Sequence, residues 1–258
     1  MTLAHVEDRG DRLLVVNTNA ERRGALSPDL YASILEACRG AATKQARSVI
    51  LTATGGFFCA GGDLNVLIER HTLSEDERRV MIENLHDVVR AIRACPVPVI
   101  AAVEGGAAGA GLSLALACDF IVAAKGARFV AAYVKAGLVP DGGLTASMAR
   151  TMPRPLAMEM CLLGRPVLAE RLHALGIVNE LAEPGDVDAV AHRLADALAA
   201  GPRDAQGAIR RMVAGAYDRA EAAQLDVERD AMARATGGAE AAEGIAAFLE
   251  KRAPDFNA

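Results

Sequence analysis

The chain has 258 residues, of which 52% are hydrophobic and only 3% aromatic. This length and composition allow a sizeable core, built mainly from Ala, Leu, Val and Ile. The net charge is −5, and no basic block gathers the 28 Lys and Arg residues, which argues against a nucleic-acid-binding protein. Pro, Glu and Gly interrupt the longest apolar run, residues 96–118, so we expect no membrane span.

The cysteines and the N-terminal residues bear on the compartment. The first twelve residues are charged and lack an apolar stretch, so we expect no export signal. The histidines have no metal-ligand spacing, and no metal site is predicted. Five scattered cysteines without a CxxC pair indicate reduced thiols in a cytoplasm. They are residues 38, 59, 95, 118 and 161.

Hydrophobic periodicity predicts strands that alternate with helices, which is typical of an α/β fold with parallel strand pairing. Ser27, followed by Pro28, and Ser74 are expected to cap two of the helices. In chain order we predict a strand at 12–17, a helix at 27–41, a strand at 47–53, a helix at 74–95, a strand at 97–104, a helix at 110–119 and a strand at 120–124.

The last third of the chain has a different character. Helices are predicted to dominate from about residue 141, and one of them, at 170–178, is expected to end at Gly176. The last 60 residues form Ala-rich helical patterns. We therefore divide the chain into a core at 1–195 and a C-terminal helical region at 196–258.

Two glycine-rich loops have the same context, because each lies between a predicted strand and a predicted helix. They are GGFFCAGGDL at 55–64 and EGGAAGAGL at 104–112. Bare loops of this kind leave backbone N–H groups free, and two such groups aimed at one point would stabilise an oxygen that gains negative charge. Such loops also serve simply as tight turns between α/β elements.

Other functions of these loops are disfavoured. Gly106, Gly109 and Gly111 have the reverse of the dinucleotide-binding spacing, and no acidic residue follows at the required distance. No Gly-Lys-Ser/Thr follows either loop, which excludes a P-loop. Ser113 lies inside an apolar helix rather than on a nucleophile elbow. Cys59 has no evident histidine partner and is interpreted as a packed residue.

Four motifs together carry a resemblance over essentially the whole chain. FFCAGGDL, PVIAAVEGGAAGAGLSLALACDFIVAA, KAGLVPDGG and FLEKRAPDF are similar to motifs of the enoyl-CoA hydratase/isomerase (crotonase) family. Within that family, the chain most resembles the phenylacetate-pathway isomerases that act on a ring-epoxide phenylacetyl-CoA. The resemblance implies a crotonase-like spiral of ββα units with a C-terminal helical trimerisation region, and a homotrimer or hexamer. It also implies an acyl-CoA thioester substrate, with coenzyme A as part of that substrate and no separate cofactor.

The resemblance assigns roles to both glycine loops. It implies that the N–H groups of Ala60 and Ala110 hold the thioester oxygen as an enolate forms. Gly62 and Leu64 would line the CoA pocket with backbone groups. Asp63 fits two interpretations, the N-cap of the following helix or a direct part in the chemistry, and we favour the cap.

Two basic residues are candidates for contacts with the nucleotide part of CoA. By resemblance, Arg22 lies near the CoA phosphates, although it also fits a solvated loop arginine. Lys251 occupies a position from which a neighbouring subunit's tail reaches the nucleotide. It fits equally well an exposed lysine at a helix C-terminus, where a cation favours the helix dipole.

The type of reaction depends on where carboxylates stand. The two glutamates that the family's hydratases use fall at Ser113 and Tyr133 in this sequence. Tyr133 is a poor general base at neutral pH and is interpreted as a lining residue of the acyl pocket. Moving a double bond needs only one base. The resemblance to the phenylacetate-pathway isomerases places that base at Asp141.

Asp141 also fits the N-cap of the helix that follows it, so both roles stay open. The favoured function is an acyl-CoA double-bond isomerase. A hydratase in which Tyr133 or an ordered water replaces the glutamates is an alternative. A non-catalytic acyl-CoA-binding paralogue is another.

Overall fold

The computed structural model describes residues 2–256 and consists of strands that alternate with helices before a helical C-terminal part. The strands are β1 (Ala4–Asp8), β2 (Arg12–Asn17), β3 (Ser48–Ala53), β4 (Val99–Val103), β5 (Gly106–Ala108), β6 (Phe120–Ala124), β7 (Arg128–Val130), β8 (Val167–Leu168) and β9 (Glu180–Ala182). The helices are α1 (Pro28–Gly40), α2 (Leu64–Glu69), α3 (Glu75–Ala94), α4 (Ala110–Ala115), α5 (Leu144–Thr151), α6 (Arg154–Leu163), α7 (Ala169–Ala174), α8 (Val187–Ala199), α9 (Arg203–Gly215), α10 (Glu221–Thr236) and α11 (Ala239–Glu250).

The main sheet has six strands in the order β1-β2-β3-β4-β6-β9. Only the first pair, β1 with β2, is antiparallel, and the other neighbours are parallel. Parallel strands are covered on both faces, which explains why they read as continuous apolar runs. Every residue of β4 is buried. The parallel pairing predicted from the sequence is therefore confirmed.

A second sheet of three strands includes part of the glycine-rich loop at 104–112. Its order is β5-β7-β8, with β5 parallel to β7 and β7 antiparallel to β8. The strand β5 consists of Gly106, Ala107 and Ala108, which the sequence analysis assigned to a loop. An added Cβ at Gly106 would lie 2.3 Å from the carbonyl oxygen of Arg128 on β7. Only glycine permits this approach of the two strands.

The predicted helix starts agree with the structure. The Ser27 hydroxyl accepts a hydrogen bond from the N–H of Leu30 at 3.2 Å. Ser74 forms a capping box with Glu77 at the start of α3. The short strands β1, β7, β8 and β9 were missed, because two to five residues carry too little periodicity to be recognised. None of the helices in residues 2–256 is long and apolar enough to cross a membrane.

The predicted boundary at residue 195 falls inside a helix. The helix α8 continues to Ala199, and its buried face includes Val190, Ala191 and Ala195. This helix packs on β3, β4, β6 and β9, so it belongs to the sheet-containing core. The next helix, α9, is the first that lies wholly beyond the predicted boundary.

One buried cation fastens α9 to the core. Arg210 Nε donates to Asp119 Oδ2 at 2.5 Å, and the same carboxylate oxygen accepts the N–H of Val99 at 2.8 Å. The other guanidinium nitrogens donate to backbone carbonyls at the C-terminal end of α3, including that of Arg93 at 2.8 Å and that of Cys95 at 2.5 Å. The guanidinium therefore joins α9, the start of β4 and the last turn of α3.

We expect Arg210→Met to lower the free energy of unfolding by about 1–3 kcal/mol, because it leaves the partly exposed Asp119 carboxylate and the carbonyls at the end of α3 without their donor. The neighbouring Arg211→Met is the matched control, since Arg211 is exposed, and it should change stability by less than about 0.5 kcal/mol. Denaturant unfolding measures both. Equal effects of the two substitutions would contradict the anchoring role.

Candidate active site

The two glycine loops run side by side. Cys59 forms an isolated parallel bridge with Ala107, and the N–H of Ala108 donates to the Cys59 carbonyl oxygen at 2.9 Å. An added Cβ at Gly111 would lie 2.2 Å from that same oxygen, a distance that no structure tolerates without a shift. The bare sequence of both loops is thus explained by backbone-to-backbone contact.

This contact brings two free backbone N–H groups into one region. An added Cβ at Gly61 would lie 3.0 Å from the nitrogen of Ala110, so the first loop passes next to the start of α4. Among residues 2–256, the N–H groups of Gly62 and Ala110 donate to no hydrogen-bond acceptor. Free N–H groups at such a point are what a developing oxyanion requires.

The structure corrects one of the predicted donors. The N–H of Ala60 donates to the carbonyl oxygen of Arg23 at 3.0 Å, so it is used within the fold. The prediction that Ala60 contributes its N–H to an oxyanion hole is therefore wrong. The physical reason is that the segment before α1 lies along the first loop, where Leu26 also donates its N–H to Gly61 at 2.9 Å.

Asp63 and Arg22 form an ion pair at the start of α2. Asp63 Oδ1 accepts the N–H of Asn65 at 2.9 Å, which confirms the N-cap interpretation. Its other carboxylate oxygen accepts a hydrogen bond from the Arg22 guanidinium. The Arg22 side chain remains 56% exposed, and Leu64 is also exposed. Contact of Gly62, Leu64 or Arg22 with CoA stays a prediction.

A hydrogen-bonded cluster surrounds the predicted base. The Tyr133 hydroxyl donates to Asp141 Oδ1 at 2.8 Å. Ser113 Oγ lies 3.1 Å from the Tyr133 hydroxyl and donates to the Asp141 carbonyl oxygen at 3.0 Å. The three residues come from α4, from the 3₁₀ helix at 132–136 and from the turn before α5. Spatial contact, which no sequence spacing indicated, joins them.

The cluster decides between the interpretations of Asp141. Gly143 is the N-cap residue of α5, and no side chain caps that helix, so the N-cap interpretation of Asp141 is wrong. Its carboxylate is held by Tyr133 instead. Burial, and then the charge of Asp141, raise the pKa of Tyr133 well above its ordinary value. The hydroxyl therefore stays protonated and acts as a hydrogen-bond donor to the carboxylate.

Lys251 ends α11 with a left-handed backbone, at φ +55°, and is exposed. Its backbone N–H donates to the carbonyls of Ala247 and Phe248. No hydrogen bond or ion pair of its side chain is present in the described chain. The predicted contact with a nucleotide of a neighbouring subunit stays a prediction.

Two polar residues near the cluster were missed by the sequence analysis. Burial, followed by the negative charge of Asp141, raises the pKa of Tyr31 to about 12, while the positive charge of Arg70 opposes this rise. Tyr31 lies on α1, and Arg70 follows α2. Nothing in their local sequence marks them, because their electrostatic relation depends on how separate elements of the fold pack.

The fold and the paired loops define an acyl-CoA enzyme with the crotonase fold. The sequence model described as Enoyl-CoA hydratase/isomerase matches residues 13–258, and the chain belongs to this family. It is 36% identical over 256 residues to the 1,2-epoxyphenylacetyl-CoA isomerase of Escherichia coli (strain K12), covering 98% of this chain and 97% of the relative.

Two further relatives have names that refer to hydration. The chain is 38% identical over 249 residues to a probable enoyl-CoA hydratase of Rhodobacter capsulatus, covering 95% of this chain and 91% of the relative. The structure is similar to the crystal structure of an enoyl-CoA hydratase from Polaromonas sp. JS666, with a TM-score of 0.94, 43% identity and 98% of each chain covered. The expected family and fold are thereby confirmed, and these relatives include one isomerase and two enoyl-CoA hydratases.

The contact between the loops generates a steric prediction. Gly111→Ala should lower the free energy of unfolding by about 1–3 kcal/mol and weaken acyl-CoA binding, because its Cβ would collide with the Cys59 carbonyl oxygen. Gly40→Ala, near the end of α1, is the control, since no atom lies closer than 3.9 Å to its new Cβ. It should stabilise the chain by about 0.4–1 kcal/mol. Denaturant unfolding with calorimetric binding tests both, and unchanged behaviour of the Gly111 variant would refute the contact.

Proposed function

We propose that this chain moves a carbon–carbon double bond within an acyl-CoA thioester by way of an enolate. The observation that carries this proposal is the arrangement of Asp141. Its carboxylate is the acidic group of the Ser113–Tyr133–Asp141 cluster, and it lies half-buried beside the paired loops. A relative from E. coli is named 1,2-epoxyphenylacetyl-CoA isomerase, and this name favours an isomerase over a hydratase.

The backbone of the two loops stabilises the enolate in this proposal. The N–H groups of Gly62 and Ala110 donate to the thioester oxygen, and Gly62 takes the place first assigned to Ala60. Negative charge grows on that oxygen as the proton next to the carbonyl leaves, so each hydrogen bond strengthens along the reaction. Loss of one such donor in other enzymes costs about 10²–10³ in rate.

Asp141 transfers the proton. Tyr133 occupies Oδ1, which leaves Oδ2 to remove a proton from the carbon next to the thioester carbonyl. Return of this proton two carbons further along completes the shift of the double bond, so no atom is gained or lost. Tyr133 cannot share this task, because its raised pKa keeps its hydroxyl protonated.

Hydration is the second candidate, favoured by the names of the relatives from R. capsulatus and Polaromonas. Adding water requires one group that activates the water and another that protonates carbon. Ser113 and Tyr133 are not carboxylates, and Ser113 is fully buried, so only Asp141 is suited to proton transfer at neutral pH. For this reason we rank isomerisation first.

We also propose that the chain assembles as a homotrimer or hexamer. The helix α10 buries none of its residues and exposes Leu225 and Met232. The helix α11 exposes Phe248 and Leu249, at 83% and 74%. Apolar faces of this size need a covering surface, and a second copy would provide one. Sedimentation velocity would distinguish these assemblies from a monomer. The cytoplasmic location and the lack of a separate cofactor stay predictions.

The central test is Asp141→Asn, which keeps the shape of the side chain and removes its basicity. We expect isomerisation of a 3-enoyl-CoA and deuterium exchange at the carbon next to the thioester to fall by at least about 10³-fold, because no other group can transfer the proton. Absorbance of the conjugated product and mass spectrometry in D₂O provide the measurements.

Two companion measurements interpret the result. Tyr133→Phe keeps the Asp141 carboxylate but removes the hydrogen bond that orients it. We therefore expect kcat to fall by about 10–100-fold while KM changes by less than about twofold. Wild-type protein should add water to crotonyl-CoA at least about 10²-fold more slowly than it isomerises a 3-enoyl-CoA. Rapid hydration would favour the second candidate, and full exchange in the Asp141 variant would exclude the proposed base.

A further inference from the structure

Arg70, in the 3₁₀ turn at 70–72, has polar atoms that the described chain does not satisfy. Its Nε is closed to solvent and has no hydrogen-bond partner. Its side chain makes no hydrogen bond or ion pair with any residue in 2–256. A donor on a cation that is buried without a partner is costly, so such a group calls for an acceptor that arrives with a ligand.

The surrounding elements place this donor beside the paired loops. The helix α2 begins directly after Gly62, and the Leu67 side chain lies 3.0 Å from an added Cβ at that glycine. On the other side, the hydrogen bond from Leu26 to Gly61 ties the segment before α1 to the same loop. The elements that carry Tyr31 and Arg70 therefore both adjoin the loop that carries the Gly62 N–H.

Tyr31 is a second polar residue that is influenced by the Ser113–Tyr133–Asp141 cluster. Its side chain is half-buried, and its hydroxyl forms no hydrogen bond within the described chain. The charges of Asp141 and Arg70 act on the pKa of this hydroxyl in opposite directions, so both charged groups lie within electrostatic range of it. The hydroxyl stays protonated at neutral pH and offers a second donor next to that of Arg70.

We propose that Arg70 and Tyr31 form a distal oxygen subsite, which binds an oxygen acceptor on the acyl group beyond the reacting carbons. This inference rests on the proposed function, because the thioester bound at Gly62 and Ala110 directs the acyl group into this space. The substrate class is therefore an oxygenated acyl-CoA, with either a carboxylate or a neutral oxygen. A plain hydrocarbon chain would leave both donors unpaired, and sites with unpaired polar groups discriminate strongly against such ligands.

The test measures binding, so it does not depend on turnover. Adipoyl-CoA carries a distal carboxylate, its methyl ester carries a neutral oxygen, and heptanoyl-CoA is a hydrocarbon of similar length. Calorimetry with wild-type protein should give at least about tenfold tighter binding for one or both oxygenated thioesters than for heptanoyl-CoA. The two oxygenated ligands distinguish recognition of a charge from recognition of a neutral acceptor.

The variants locate the preference. Arg70→Met and Arg70→Gln should each remove about tenfold of the preference and change heptanoyl-CoA binding by less than about twofold, and Tyr31→Phe should have a smaller effect in the same direction. Arg79→Met is the matched control, because Arg79 is exposed on α3 and pairs with Glu75. Its binding should equal that of wild type.

The outcomes separate this inference from the proposed function. Equal wild-type affinity for all three thioesters, or a preference that survives both Arg70 substitutions, overturns the subsite. Absence of binding for every thioester overturns it as well, because the acyl group would then not occupy this space. Failure of the isomerisation test with an intact Arg70-dependent preference would leave the subsite standing and reject only the chemistry.

Discussion

The contact between two backbones at Cys59 is the constraint on which the rest of the site depends. The Cys59 carbonyl oxygen accepts a hydrogen bond from Ala108 and lies where a Cβ on Gly111 would have to be. This contact holds the first loop against the start of α4 and leaves the N–H groups of Gly62 and Ala110 free. Side chains in either loop would separate them, and this explains the conformational cost of so much glycine.

A site built from backbone donors leaves the choice of reaction to a few side chains. In the proposed reaction, the main-chain N–H groups polarise the thioester whatever side chains surround it. In this chain, Ser113 and Tyr133 support a carboxylate on Asp141 rather than providing carboxylates themselves. A single base held from one side suits the movement of a proton between two carbons. The same scaffold with two carboxylates would suit the addition of water.

Three arginines of this structure differ in their burial and in their hydrogen-bond partners. The Arg22–Asp63 ion pair lies at the exposed start of α2, whereas Arg210 is buried and fastens α9 to the core. Arg70 differs from both, because it has a buried donor and no partner. The buried donors of Arg210, by contrast, are satisfied within the chain. The unsatisfied one is therefore interpreted as part of substrate recognition.

The sequence by itself determined the alternating elements, the caps at Ser27, Ser74 and Asp63, and the family, because each of these depends on local periodicity or on short ordered motifs. It also indicated that two bare loops matter. Only the tertiary structure decided that Gly62 rather than Ala60 keeps a free N–H, since that depends on where the segment before α1 lies. The bond from Tyr133 to Asp141 and the electrostatic effect of Arg70 on Tyr31 were likewise decided by packing. Contacts between distant elements leave no periodic signal along the chain. The residues that hold the site residues in place could therefore be identified only from the tertiary structure.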